Sequence, residues 1–274
     1  MRDKARQDKA KQDKELVLKG QCILNTRPAH QQDGLKLLLE AQGAKVIAFP
    51  AIEIIEPETT DFHRSLIENI EHYHIALFVS RNAVDGAFRY LEPDTLPAEL
   101  QLGVIGDASY RALLQKINLA EERLIRGHPH NSEGLLATSA LQQVAGKNIL
   151  IFRGQQGRNL LGDELRARGA SVSYCEVYRR KKPEYGADSF AKITTAQFPT
   201  LVVFTSNEGM ENLLALTNGQ ERRELLGITW LLISERMRES AINLGHNAAT
   251  IIAANANDEG IQQTINEWAS KQAV

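Results

Sequence analysis

The chain lacks most of the features that settle a protein's class at a glance. It has two cysteines in 274 residues, Cys22 and Cys175. Each sits in an apolar, strand-like run, so they read as buried free thiols and not as a disulfide. Two cysteines at that separation make no zinc cage of finger spacing. An excess of charge is missing as well. Thirty-two basic residues against 34 acidic ones leave a net charge of −2, which excludes a polycation built for nucleic-acid backbones. No apolar run approaches the roughly 20 residues that span a membrane.

Several chemical signatures are absent too. The glycine-containing turn from Arg153 to Arg158 is not followed by Gly-Lys-Ser/Thr, so it is no Walker loop, and it is no dinucleotide fingerprint. No Ser-His-Asp set with a nucleophile elbow is present. His72 and His74 alternate on a strand start without a third ligand, and His128 and His130 flank Pro129 in a loop. Both pairs read as surface or packed histidines, and no metal site is expected. Arg179, Arg180, Lys181 and Lys182 read as a solvated basic run, with the lining of a cleft beside Tyr178 as the alternative. Residues 1–15 are almost all Lys, Arg, Asp, Gln and Ala and lack the apolar core of a secretory signal. They read as a solvated extension, part of a charged stretch over 1–18 that is disordered or a frayed helix.

What is present is internal repetition. The segment from Gly20, GQCILNTRPAHQQDGLKLLLEAQGAKVIAFPAIEI, resembles the one from Gly146, GKNILIFRGQQGRNLLGDELRARGASVSYCEVYR. Ile149 follows Ile23 by 126 positions, and the same offset relates Arg153 to Arg27, Gly169 to Gly43, Ser206 to Ser80 and Asn257 to Asn131. Only the stretch around Gly106, matched to Ser234, is displaced by two more. A constant offset over four blocks argues for a duplicated half of ordinary domain size, too long for a solenoid repeat. Each half alternates short apolar runs with helical patterns. Strands are expected at 22–24, 46–49, 75–79, 102–105, 149–152, 172–177, 201–204, 229–233 and 249–253. Helices are expected at 34–41 and 160–168, with Gly43 and Gly169 as C-terminal stops. This alternation predicts an α/β fold with a parallel sheet covered by helices in each half. The runs 46–55 and 172–180 continue past the length one small sheet needs and stand at equivalent places, so they read as a pair of connecting strands.

In open parallel sheets, ligands bind beyond the carboxyl ends of the strands. The residues there are polar and repeated: Arg27 and Arg153-Gly154 after the first strand of each half, Ser80 and Thr205-Ser206 after the next. Gly106 with Ser109, and Ser234, come after the third, then Asn131-Ser132 and Asn257-Asp258. Each of the later sets opens a predicted helix, whose unpaired N–H groups and dipole favour an anion. Capping is the bland reading for each Ser, Thr, Asn and Asp, and a capped end still has an N–H to offer. Arg27 and Arg153 suit carboxylates through the planar fork, with a surface ion pair as the alternative.

At this point the residues resemble a known family. Segments 24–28, 151–157, 78–84 and 204–209, the Gly-Ala-x-Val turns at Gly43 and Gly169, and Val177-Tyr178 together are similar to the uroporphyrinogen-III synthase family, over roughly residues 19–268. The likeness implies two similar flavodoxin-like or Rossmann-like domains joined by a two-stranded β-ladder, with substrate in the cleft between them. The expected boundaries are 19–46 with 183–274 for one domain, 59–169 for the other, and 47–58 with 170–182 for the ladder. The implied reaction closes hydroxymethylbilane, a linear tetrapyrrole with eight carboxylates, into uroporphyrinogen III. The terminal pyrrole is inverted and water is lost. The resemblance implies no cofactor, a small-molecule polycarboxylate substrate, no nucleic-acid or membrane partner, a monomer and a cytoplasmic location. It places Tyr178 as the acid or hydrogen-bond donor near the leaving hydroxyl, with a packed aromatic as the alternative. The candidate substrate contacts are Arg27, Ser80, Gly106, Ser109, Ser132, Arg153, Gly154, Thr205, Ser206 and Ser234. Two other readings fit the scaffold: a non-catalytic bilobed binding or regulatory protein, and a nucleotide-sugar transferase. The second requires a glycine-rich phosphate turn and an acidic ribose partner, which the sequence does not display.

Overall fold

A computed structural model describes residues 16–58, 61–155 and 157–272; the charged run over 1–15 lies outside the described residues. Leu18, assigned above to the solvated extension, is fully buried against Leu35 and Leu39. Its N–H donates to the Gln42 carbonyl at 2.9 Å, so the fold begins before residue 19.

The strands are β1 (Cys22–Asn25), β2 (Lys45–Ala48), β3 (Glu53–Ile55), β4 (Ile75–Phe78), β5 (Gln101–Val104), β6 (Leu124–Arg126), β7 (Asn148–Gly154), β8 (Ser171–Lys181), β9 (Leu201–Val203), β10 (Thr229–Leu232) and β11 (Thr250–Ile252). The chain divides into two compact units. Unit 1 takes the residues through Glu53 and from Lys182 onward, and unit 2 is Ile54–Lys181.

In unit 1 a five-stranded sheet has the order β11-β10-β9-β1-β2, every neighbouring pair parallel. In unit 2 the order is β3-β8-β7-β4-β5-β6, parallel from β8 to β6. Apart from β3, the two orders are the same. Registers match as well: Ile23 pairs with Leu201 in unit 1, and the equivalent Ile149 pairs with Ile75 in unit 2.

The strands are near-continuous apolar runs because both faces of each sheet are covered. Strand periodicity sends alternate residues to opposite cores. Cys22 and Leu24 join Phe204 and Trp230 on one face, while Ile23 joins Leu35, Val203 and Ile261 on the other. In unit 2, Phe78 and Phe152 lie on one face and Leu77 and Ile151 on the other. The helices Asp33–Glu40 and Leu160–Ala167 stand close to where leucine spacing put them. They are followed by Gly43 at φ 90° and Gly169 at φ 85°, a conformation that glycine enters without a Cβ penalty.

Two expectations are corrected. The run 46–55 is two strands, β2 in the first sheet and β3 in the second. Pro50 between them has no N–H for a ladder, and Phe49, Ala51 and Ile52 turn inward. β6 was not anticipated: it is three residues long with one buried position, Ile125, and charged neighbours hide its period. β8 does run on for eleven residues and has β3 as its hydrogen-bonded neighbour. Both strands lie where the chain passes from one unit to the other.

The duplicated copies do not coincide with the folded units. Unit 1 combines β1 and β2 of the first copy with β9, β10 and β11 of the second. Unit 2 combines β7 and β8 of the second copy with β4, β5 and β6 of the first.

Candidate functional site

Because the five strands of unit 1 and β8 through β6 of unit 2 are parallel, their carboxyl ends gather along one edge of each sheet. At that edge of unit 2, β7 delivers Arg153 and Gly154, β4 leads to Ser80, β5 leads to Gly106, and β6 leads toward Ser132. β8 supplies Tyr178. A register shift between Arg153 and Gly154 pairs Gly154 with Tyr178, and Gln155 N–H donates to the Tyr178 carbonyl at 3.0 Å.

The Tyr178 ring is seated directly over Gly154, where an added Cβ would lie 2.6 Å from Cζ of the ring. No side chain fits there, so glycine at 154 is what lets the ring settle. Tyr178 is 4% exposed, and its hydroxyl lies 3.1 Å from Ser80 Oγ. Ser80 is also the N-cap of the helix Arg81–Ala87, its Oγ accepting from Ala83 N–H at 3.1 Å. The pair therefore unites a phenol, a serine hydroxyl and a helix start.

Capping accounts for much of the remaining pattern. Asn131 accepts from Gly134 N–H, Ser206 from Gly209 N–H, Ser234 from Met237 N–H and Asn257 from Gly260 N–H. Gly106 caps the helix Asp107–Lys116 without a side chain, at φ 83° with open space around the missing Cβ. Ser109 is 2% exposed and donates to the Ile105 carbonyl at 2.6 Å; it is packed into its own helix start. Thr205 and Ser206 stand at the end of β9 in unit 1, half-buried, and Ser234 follows β10.

The two arginines are placed alike and partnered differently. Arg27, 8% exposed, forms an ion pair with Asp258. Arg153, 5% exposed, donates to the carbonyls of Gly154 and Gly157 and to Asn159 Oδ1 at 2.9 Å. Its guanidinium carbon lies 4.6 Å from the centroid of the Tyr174 ring. Sequence reasoning missed Asp258 as a side-chain partner. The repeat alignment had set it against Ser132, but as a helix-opening position. It also missed the group near β6, where Arg126 binds Asp107 at 2.7 Å and lies over the Tyr110 ring at 3.8 Å.

Among the described residues, no cluster of three His, Cys, Asp or Glu has a geometry that could hold a metal ion, and no helix is long and apolar enough to cross a membrane. Cys22 and Cys175 are buried and unbridged.

Comparison with known proteins agrees with this architecture. Residues 33–263 match the family model described as Uroporphyrinogen-III synthase HemD. A uroporphyrinogen-III synthase of Salmonella typhimurium is 34% identical over 255 residues, covering 89% of this chain and 99% of that protein. One from Escherichia coli is 31% identical over 250 residues, with the same coverage of 89% and 99%. Among solved structures, a mutant uroporphyrinogen III synthase of Thermus thermophilus superposes with a TM-score of 0.58 at 16% identity, covering 92% of this chain and 100% of that one. A Helicobacter pylori uroporphyrinogen-III synthetase gives 0.55 at 15% identity, with 90% and 99% covered. These two share the fold. Strand order, repeat and matched sequence agree: the chain belongs to the uroporphyrinogen-III synthase family.

Proposed function

We propose that Tyr178 and Ser80 form the reacting end of this enzyme's site, and that strand-end hydroxyl and N–H groups hold the substrate's carboxylates. The reaction is the family's: hydroxymethylbilane is cyclised to uroporphyrinogen III in tetrapyrrole biosynthesis. The observation that carries the assignment is the Tyr178–Ser80 hydroxyl pair over Gly154. The equivalent positions of unit 1, at the common offset of 126, hold Ile52, Ser206 and Pro28, so there the serine caps a helix and has no phenol beside it.

The chemistry asks little of side chains. The terminal C–O bond breaks and the hydroxyl leaves as water, taking a proton. The electrons come from the pyrrole nitrogen, so neither metal nor organic cofactor is required. The resulting azafulvene is attacked at the substituted carbon of the last pyrrole, and the spiro intermediate fragments and recloses inverted. A proton lost as the final ring regains aromaticity balances the one consumed. If Ser80 donates to the phenol oxygen, the Tyr178 proton is left for the departing hydroxyl. Selectivity requires that one folded conformer of the substrate be held, since closure without inversion competes. Ser80, Gly106, Ser132, Arg153 and Gly154 in unit 2, and Thr205, Ser206 and Ser234 in unit 1, are the proposed contacts. Arg27, already neutralised by Asp258, and Ser109, packed inward, serve to shape the strand ends. The enzyme works as a cytoplasmic monomer.

The test is to supply fresh hydroxymethylbilane, oxidise the products and measure type III against type I uroporphyrin. The expected product is type III, and Tyr178→Phe is expected to slow its formation at least about tenfold with unaltered circular dichroism. Type I alone from the native chain would overturn the reaction, and an unchanged rate in the variant would remove Tyr178 from it.

A further inference from the structure

Unit 1 shows what an arginine at the end of the first strand does when the chain itself supplies an acid. Arg27 is closed off by the Asp258 carboxylate. Gly34, at the start of the helix Asp33–Glu40, leaves room for that carboxylate; any Cβ there would collide with Asp258 Oδ2. The equivalent positions of unit 2 are Arg153, Ser132 and Leu160. The arginine is retained, the acid is replaced by a serine, and the glycine is gone.

Arg153 is at least as buried as Arg27, yet every partner it has among the described residues is neutral: two carbonyls, the Asn159 amide oxygen and the Tyr174 ring. A guanidinium removed from water without a counter-charge is costly, and dipoles offset only part of that cost. Beside it opens a cleft of about 280 Å³ whose walls include Ser132, His130, Arg158 and Tyr174. The one acid on its rim, Glu133, is exposed and forms no ion pair with Arg153. His130 is already turned to Asp107, 3.7 Å away. The cleft is therefore basic, polar at one wall and open where unit 1 is filled by its own carboxylate.

We infer that this cleft is a carboxylate subsite, in which one acid side group of the bound ligand takes beside Arg153 the place that Asp258 takes beside Arg27. Ser132 is the residue that keeps it accessible, being too short to reach the guanidinium and able to offer a hydroxyl instead. The identity of the acid as one of the substrate's rests on the function proposed above; the subsite itself does not. Each guanidinium nitrogen of Arg153 already donates once, which leaves one N–H on each of the two terminal nitrogens for a carboxylate, so this contact binds the chain of pyrroles through one side group.

The experiment transplants the unit 1 arrangement. Ser132→Asp places a carboxylate where unit 1 carries one, and it should occupy Arg153 from within. The expected result is a KM for hydroxymethylbilane raised about tenfold, the loss of one charge-assisted hydrogen bond, with kcat changed less than about twofold. Arg153→Gln should raise KM comparably, and the double variant should be no worse than either single one. A second readout needs no turnover. Glutarate titrated into the nitrogen-15-labelled protein should shift the Arg153 Nε–H and Ser132 amide resonances, and Ser132→Asp should abolish those shifts. An unchanged KM in a folded Ser132→Asp protein, or glutarate shifts that survive the substitution, would overturn the subsite. If the native chain forms no type III product, the proposed function fails and the glutarate titration alone decides the subsite.

Discussion

Apart from β3, units 1 and 2 have the same strand order, and they share strand registers and helix caps at equivalent places, although most of their side chains differ. Ser206 and Ser80 both accept from the third N–H of their helices, yet only Ser80 has a phenol within hydrogen-bond distance. Arg27 and Arg153 are both buried at a strand end, yet among the described residues only Arg27 has an acid. The duplicated sequence thus contains its own control. What the two units share is what a parallel sheet with covered faces requires: apolar strands, positive-φ glycines after helices, and caps. Among the positions they do not share, Tyr178, Gly154 and Ser132 stand against Ile52, Pro28 and Asp258, and these are the differences on which the proposed function and subsite rest.

The largest effect that would sharpen this contrast is on stability. Asp258→Ala leaves Arg27 buried without its counter-charge and should lower unfolding free energy by about 2–3 kcal/mol, the lower end for a broken buried pair because Asp258 is partly exposed. Urea denaturation measures it. Ser132→Ala, at the equivalent place in unit 2, should change the midpoint little. If both variants are equally destabilised, the two arginines are not differently partnered.

Next in size are the two serines. Ser80→Ala and Ser206→Ala each remove an N-cap and should each cost about 1 kcal/mol. Turnover should fall further in Ser80→Ala than in Ser206→Ala, because only the first loses a contact to Tyr178. Equal losses of rate in the two would mean that Ser80 acts only as a cap.

A smaller effect is confined to unit 1. His246 is buried against Trp230, with ring centroids 4.3 Å apart, and its Nε2 lies 2.9 Å from the Ile228 carbonyl. Burial pushes its pKa below the ordinary 6.5, with the carbonyl contact opposing weakly. The unfolded chain therefore takes up a proton more readily than the folded one. The stability from neutral His246 is whole above about pH 6.5 and is lost as pH falls through the lower folded value. Urea midpoints taken on either side of about pH 6.5 should fall toward acid, and His246→Asn should flatten that slope. A native slope equal to the variant's would contradict this account.

The smallest expected response is none at all. Burial raises the pKa of both thiols, that of Cys175 to about 12 with the Glu176 charge adding to it. A thiol-specific reagent at mildly alkaline pH should leave the native protein unlabelled and modify both cysteines in urea. Rapid native labelling of Cys175 alone would show that unit 2 opens more readily than unit 1.

Much of the fold was legible because each sheet is covered on both faces. Runs such as Cys22-Ile23-Leu24 and Ile75–Phe78 are apolar throughout, and that pattern survives without knowledge of neighbours. β6 escaped because only Ile125 is buried, and 46–55 misled because its apolar residues continue through Pro50 while the backbone changes sheets. At the site, positions were readable and partnerships were not. The offset of 126 pointed to strand-end residues, but the contact of Arg27 with Asp258 spans 231 positions and depends on room left by Gly34. Ser109 reads like its neighbours in sequence and turns inward in the structure. That Tyr178 needs a glycine beneath it becomes visible only once β7 and β8 are paired.

The exchange of strands between the two copies has a consequence for the order of events during synthesis. Unit 2 is one uninterrupted stretch, Ile54–Lys181, so every contact it needs exists soon after that stretch leaves the ribosome. Strands β1 and β2 emerge far earlier than β9, with which β1 must pair through Ile23 and Leu201. At roughly 5–20 residues per second, the nascent chain carries an unfinished apolar edge for about 10–35 seconds. Over that interval, the tract that emerges first waits for the tract that emerges last.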